Sequence, residues 1–185
     1  MSLSKKKIDD LTRFYLRYGF AHTTEETARH LGISHKTFFN RYTSKEESVR
    51  LVLENWYADI RVRFMEKAGQ CNHAVEELLH FVYEIRYIRQ EEAVFFEYAV
   101  AHGLFLSGEA PFRSILSEVI RDGIRHYQFR EDLNVDLYGR FLLCNLSHYH
   151  YMEEDKEDIL RYLVSPLLSQ RGWALLEEMD VASFL

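Results

Sequence analysis

The chain has 185 residues, 47% of them hydrophobic and 28% charged, with a formal net charge of −6. This is ample apolar content for a core, and a complement of only two prolines and eight glycines favours long helices. No apolar run reaches the roughly 20 residues of a membrane span and no secretory leader is visible, so a soluble, cytoplasmic protein is expected.

Residues 5 to 18 place Ile8, Leu11, Tyr15 and Tyr18 on one helical stripe, and Gly19 ends it. Thr23 with Glu26 three residues later is a capping box, in which hydroxyl and carboxylate satisfy free N–H groups of a first turn, so a helix starts near Thr24. Ala28 and Leu31 share a face of it, and Gly32 supplies the permissive backbone that stops the helix and turns the chain. Ser34 restarts it as an N-cap. At about 100° per residue, with Phe38 at the centre of the buried face, Ser34, Arg41 and Tyr42 stay near that side. Lys36 and Asn40 point away, flanked by Thr37 and Phe39. Such a surface carries hydrogen-bonding groups that suit base edges and phosphates. Ser44 with Glu47 forms a second capping box, opening a helix that meets no breaker before Gly69 and carries Val49, Leu53, Trp56, Ile60 and Phe64 at helical spacing.

Further helices are expected over residues 72–88, 90–106, 111–127, 135–152 and 155–169, punctuated by Gly103, by Gly108 with Pro111, and by the Asp132–Asn134 segment. No strand-like alternation, repeat or low-complexity segment competes, and the fold class is all-α. Leu137, Phe141, Cys144, Leu146 and Tyr149 form one apolar band, and Ile159, Leu160, Leu163, Leu167 and Leu168 form another. Bands this broad on adjacent helices call for a partner surface, and a two-fold pairing of both would give a four-helix bundle. Leu137, Phe141, Leu160, Leu163 and Leu167 are the candidate dimer residues. Pro166 breaks or kinks the last of these helices. The tail from Trp173 mixes apolar and acidic residues and has no assigned place.

Residues 5 to 57 resemble the N-terminal domain of the TetR family of bacterial transcriptional regulators. The likeness rests on Tyr18, Gly19 and Phe20, then Thr23 and Thr24, Ala28, Gly32, Ile33 and Ser34. It continues through Thr37, Phe38, Tyr42 and the run Ser44, Lys45, Glu46 and Glu47. Thr27, Lys36 and Ser48 depart from the usual residues. Phe39 stands where the family has a tyrosine whose hydroxyl reaches a phosphate, a hydrogen bond that phenylalanine cannot make. The resemblance implies a three-helix, helix-turn-helix DNA-binding domain over residues 1–50 and a helical effector-binding and dimerisation domain over residues 51–185. Within it, Lys36 and Asn40 are the candidates for reading bases. Thr24, Ser34, Thr37, Arg41, Tyr42 and Lys45 are candidate phosphate clamps, with His35 on the rim.

The expected partners are double-stranded DNA, a second copy of the chain, and a small-molecule effector of unknown class, with no membrane and no cofactor. The expected activity is that of a repressor on a palindromic operator, the effector releasing it. The alternative is a TetR-like DNA-binding protein controlled by a protein partner, or acting structurally. Charge is partitioned accordingly: residues 1–50 hold ten Lys or Arg against six Asp or Glu, a net of +4, so the remaining residues carry −10. An effector pocket is expected among the helices from about 55 to 152, walled by Trp56, Tyr83, Tyr87, Phe95, Phe96, Glu97, His102 and Tyr149. Hydrolase, Walker, dinucleotide-binding and zinc-protease motifs are all missing, which argues against an enzyme. Cys71 and Cys144 are too few and too far apart to read as a disulfide framework or metal motif, and no metal is expected. His148, His150 and Glu154 come nearest to a ligand set, with His148 off the common face.

Overall fold

In the first third of the chain each break is made by its own local chemistry. In the computed structural model, which describes residues 4–107, 110–148 and 161–181, α1 spans Lys5–Tyr18, α2 Thr24–His30, α3 His35–Tyr42 and α4 Lys45–Ala68. Thr23 and Glu26 form the reciprocal box, the Thr23 side chain accepting from the Glu26 N–H while Glu26 accepts from the Thr23 N–H at 2.8 Å. Gly32 turns the chain at φ +65°, and the Ile33 N–H returns to the Ala28 carbonyl at 3.0 Å. Ser34 and Ser44 cap α3 and α4 by accepting from the N–H groups of Thr37 and Glu47, each at 3.1 Å. The second box is only half made, because the Glu47 carboxylate turns out to Arg50 instead.

The buried face of α1 is Leu11, Phe14 and Tyr15; Tyr18, expected on that stripe, stands outside it with its ring over Phe14. Three-helix packing around Ala28, Phe38 and Tyr42 makes the small head, and α4 closes it. A buried hydrogen bond of 2.8 Å between the Tyr15 hydroxyl and Ser48 Oγ joins α1 to α4. Phe20 carries the joint further, its ring 4.1 Å from Tyr98 and 5.3 Å from Phe95.

The body follows as α5 (Ala74–Glu91), α6 (Ala93–Ala101), α7 (Pro111–Arg125) and α8 (Val135–His148), then a 3-10 turn at Ser165–Leu167 and α9 (Gln170–Glu178). No strand occurs among the described residues; an isolated antiparallel bridge pairs Phe129 with Leu168. The α9 helix was not foreseen in the tail, though Ser169 starts it by the same capping chemistry, accepting from the Gly172 N–H. Gly172 lies so close to Gln128 that a Cβ there would sit 2.1 Å from the Gln128 carbonyl oxygen. The core of the body is aromatic: Trp56 and Tyr57 of α4 meet Phe95 and Phe112, and Phe112 meets Phe105 at 4.5 Å.

Two features of the body bear on partners. At its half-buried margin, Arg63 of α4 binds Glu84 at 2.8 Å and Glu92 at 3.1 Å, and Glu92 also accepts from the Trp56 ring N–H. On its outside, α8 presents Leu137 (59% exposed), Phe141 (51%) and Cys144, while Tyr162 is 84% exposed. Leu137 and Phe141 therefore lie on an open apolar face, as a dimer surface requires. Leu146 and Leu167 do not: both are in the protomer core, Leu167 because the Ser165–Leu167 turn folds it inward. Leu163 is half-buried, and Leu160 and Ile159 lie outside the described residues.

Candidate nucleic-acid interface

The surface around α3 is assembled from short-range constraints. Ser34 Oγ, besides capping, meets Thr37 Oγ1 at 2.8 Å, so these two hydroxyls form one fixed pair at the helix start. Thr24 Oγ1 of α2 lies 3.0 Å from the His35 ring nitrogen, and that ring stands edge-on to Phe39 at 4.8 Å. Thr24, His35 and Phe39 are thereby one continuous patch spanning two helices. Lys36, Phe39 and Asn40 are exposed along α3, with Thr37 and Arg41 half-buried at its flanks. The exposed surface thus carries a cation, an amide and an aromatic ring, the chemistry that can meet guanine or adenine edges and a thymine methyl group.

Two of the expected contacts have partners within the protein. Tyr42 is 1% exposed, and its hydroxyl donates to the Lys7 carbonyl at 3.3 Å, so it is a core residue that ties α3 to α1 and is withdrawn from the surface. Burial also pushes its phenol above the ordinary value. At the start of α4, the Glu46 carboxylate takes its own backbone N–H and the Ser44 hydroxyl, which holds its pKa down. The helix N-terminus beside Lys45 is therefore already served by an internal anion, and Lys45 itself is half-buried.

The structure also brings in residues that the sequence reading passed over. A cleft of about 430 Å³ runs between α1 and α3, lined by Lys7, Arg13, Arg17, His30 and Arg41. Arg13 is paired there with Asp10 at 2.6 Å, and Arg17 lies over the Tyr18 ring. The signal was present in the Lys5–Lys7 run and in Arg13 and Arg17, four apart on one helix.

The same head carries an acid-sensitive element. Glu26 is held below its usual carboxylate value first by the Thr23 N–H and then by the Thr23 hydroxyl. A carboxylate with a depressed folded pKa contributes stability that is present above its unfolded pKa and is lost as pH falls through the folded value. In thermal unfolding measured across pH, Glu26→Ala is expected to lower the melting temperature at neutral pH, with the deficit shrinking between about pH 5 and pH 3. A deficit that stays constant over that range refutes the assignment.

Among the described residues, the aromatics expected to wall one pocket are divided between the core and the surface. Trp56, Phe95 and Phe96 are packed into the core in ring-on-ring contact, Trp56 with Phe95 and Phe96 with Phe105. Glu97 and His102 are exposed, and His102 is stacked on Tyr98. Tyr83 and Tyr87 line a surface groove of about 390 Å³ with Arg63, Glu66, Lys67, Gln70 and Glu84. Tyr149 lies outside the described residues, as do His150 and Glu154. A different cleft, of about 450 Å³, lies where head meets body, lined by Glu46, Val49, Arg50, Leu53, Glu54, Tyr57, Tyr98, Leu104 and Ser107.

No protein-family model and no curated protein matches the sequence. Solved structures do match over nearly the whole chain. A gamma-butyrolactone receptor described as an ArpA-like protein aligns at a TM-score of 0.69 and 17% identity, covering 97% of this chain and 94% of that one. The TetR family protein CprB from Streptomyces coelicolor, in complex with its biological operator sequence, aligns at a TM-score of 0.64 and 16% identity, over 94% and 92%. The superantigen PfiT aligns at a TM-score of 0.67 and 19% identity, over 89% and 95%. The chain has the TetR-family fold, all-α with an N-terminal helix-turn-helix, and the fold is shared by proteins of different description.

Proposed function

We propose that the protein is a non-enzymatic, sequence-specific DNA-binding transcriptional regulator that acts as a homodimer on a palindromic operator. Residues 1–50 are the DNA-binding domain in this reading, and residues 51–185 carry dimerisation and effector binding. The observation that carries it is the α3 surface: Lys36, Phe39 and Asn40 stand exposed in a row, beside a cleft lined by Lys7, Arg17 and Arg41, on a head of net charge +4. Lys36 and Asn40 read bases; Thr24, Ser34, Thr37, Arg41 and Lys45 hold phosphates, with His35 at the rim and Lys7 and Arg17 added from α1. Phe39 makes an apolar contact in place of a hydroxyl. That the similarly folded CprB forms a complex with its operator supports DNA as the partner.

Binding regulates transcription by repression, and release follows when a small molecule occupies the cleft bordered by Glu46, Val49, Leu53, Tyr57, Tyr98 and Leu104. That cleft borders the first turns of α4, directly after the reading helix, so a ligand there acts on the element that aims it. The receptor description of one structural neighbour is consistent with a small-molecule signal.

Selection of bound DNA from a random pool tests the central claim, because it returns site, symmetry and half-site spacing together. A two-fold consensus with half-sites about one helical turn apart is expected; a protein that enriches no sequence and shifts no fragment at low salt is not this regulator. On the selected site, Asn40→Ala is expected to cost about 1–3 kcal/mol and to relax preference at one base position. Lys45→Ala should instead weaken all sequences alike and flatten the salt slope by about 0.9 per lost phosphate contact. Equal losses on every sequence for both variants overturn the division of roles.

A further inference from the structure

We propose that the junction of α4 and α5 is a binding site for a zinc-class transition-metal ion, with Cys71, Glu76 and His80 as its protein ligands. A sulfur, a carboxylate oxygen and an imidazole nitrogen from these residues all lie within 4.8 Å of one another, and all three residues are half-buried. Glu76 and His80 are four apart on one face of α5. Cys71 joins them because the chain bends sharply after Gly69: its N–H returns to the Ala68 carbonyl at 3.1 Å, and its thiol points to the Lys67 carbonyl at 3.3 Å. The Asn72 N–H donates to Glu76 Oε2 at 2.8 Å, which fixes the carboxylate beside the loop that carries the cysteine.

The donor set selects the ion. One sulfur, one nitrogen and one oxygen suit zinc and its neighbours, whereas magnesium and calcium require oxygen cages. Bond lengths of about 2.0–2.3 Å to a tetrahedral zinc imply ligand atoms roughly 3.5 Å apart, so the trio must close by about 1 Å. The Glu76 side chain and the loop at residues 70–73 can supply that movement. Three protein ligands leave a fourth position for water or a small anion, which makes this an open site.

The free site holds a protonated thiol: burial, with Glu76 and Glu77 next, pushes Cys71 up to about 12, so metal binding has to displace that proton. As the metal–sulfur bond forms, the thiol proton is released to solvent and no electron is transferred. Glu76 and Glu77 in the first turn of α5 offset the partial positive charge of the helix start and the nearby Lys67 ammonium. The wide separation of Cys71 from Cys144 hid this site, because its other ligands are a carboxylate and an imidazole close to Cys71 in sequence.

Cobalt(II) titration of the metal-stripped full-length protein is the test. The expected result is one cobalt per chain, with a sulfur-to-cobalt charge-transfer band and the intense visible bands of four-coordinate cobalt, both abolished by one equivalent of zinc. Cys71→Ser should remove the charge-transfer band, and His80→Ala should weaken binding by more than the roughly 100-fold that an outer-sphere partner can cost. Circular dichroism of each variant checks that it is folded, and Cys144→Ser serves as the control that keeps the wild-type spectrum. A charge-transfer band that survives Cys71→Ser, a band lost in Cys144→Ser, or no saturable binding at all overturns the site. None of these readouts involves DNA, so they stand apart from any test of the regulator reading.

Discussion

Phe141→Glu is expected to yield a folded monomer whose affinity for a two-half-site operator is lower by roughly 10²–10⁴-fold, the range by which linking two binding modules raises avidity. The ring is half in solvent and touches the core only through the half-buried Tyr138 ring at 5.8 Å, so far-UV circular dichroism should be unchanged. What it disturbs is the face shared with Leu137 and Cys144, where a carboxylate buried against its own symmetry mate would be unpaired. Sedimentation and gel-shift titration on full and half operators measure both effects. Half-site binding should be nearly unaffected, since the reading surface of α3 is far along the chain and independently capped. A variant that remains dimeric shows that the open face of α8 is not the pairing surface.

The second large effect is on stability. Phe112 is fully buried, with Tyr57 at 5.9 Å, Trp56 at 6.4 Å and Phe105 at 4.5 Å between ring centroids. Phe112→Ala removes the ring that fixes α7 against α4 and is expected to cost about 3–5 kcal/mol, the range for a large aromatic truncated in a core that relaxes only partly. A loss of that size is a large fraction of the stability of an ordinary domain, so chemical unfolding should show a sharply lowered midpoint. A loss under about 1 kcal/mol would mean that neighbouring rings collapse into the space, and that this part of the core is not tightly packed.

The head was legible because its signals are local. Thr23 with Glu26, Gly32 and Ser34 each decide a helix end within four residues, and the structure places α1 to α4 where those residues require. What local chemistry could not decide was which of several aromatic side chains faces inward. On α1, Phe14 rather than Tyr18 lies under the rest of the head; Tyr42 faces inward as its helical position requires, but its hydroxyl is taken by the Lys7 carbonyl, 35 positions away, which no local signal announces. The body was legible only as a set of helices. Its aromatics at helical spacing look alike whether they wall a pocket or fill one another's gaps, and Trp56, Phe95 and Phe96 do the second. The cleft near Glu46 arises from the approach of α4 to Tyr98 and Leu104, a meeting of distant segments that periodicity along one helix does not encode. The Cys71, Glu76 and His80 cluster falls between these cases. Its spacing is visible in the sequence, but the bend after Gly69 that folds the cysteine back over α5 is not.

The ion pairs of Arg63 with Glu84 and Glu92 have a mechanical consequence. From Arg63 to Lys45 the α4 helix runs for 18 residues without a break, a stiff arm of about 27 Å at 1.5 Å per residue. In the proposed regulator, a swing of about 5° about that charged cluster would carry its far end through about 2.4 Å, most of the roughly 3.4 Å between stacked base pairs. Two-fold pairing would double the displacement, and a fulcrum nearer Ala68 would lengthen the arm, so that a smaller rotation would move both reading helices by the same amount.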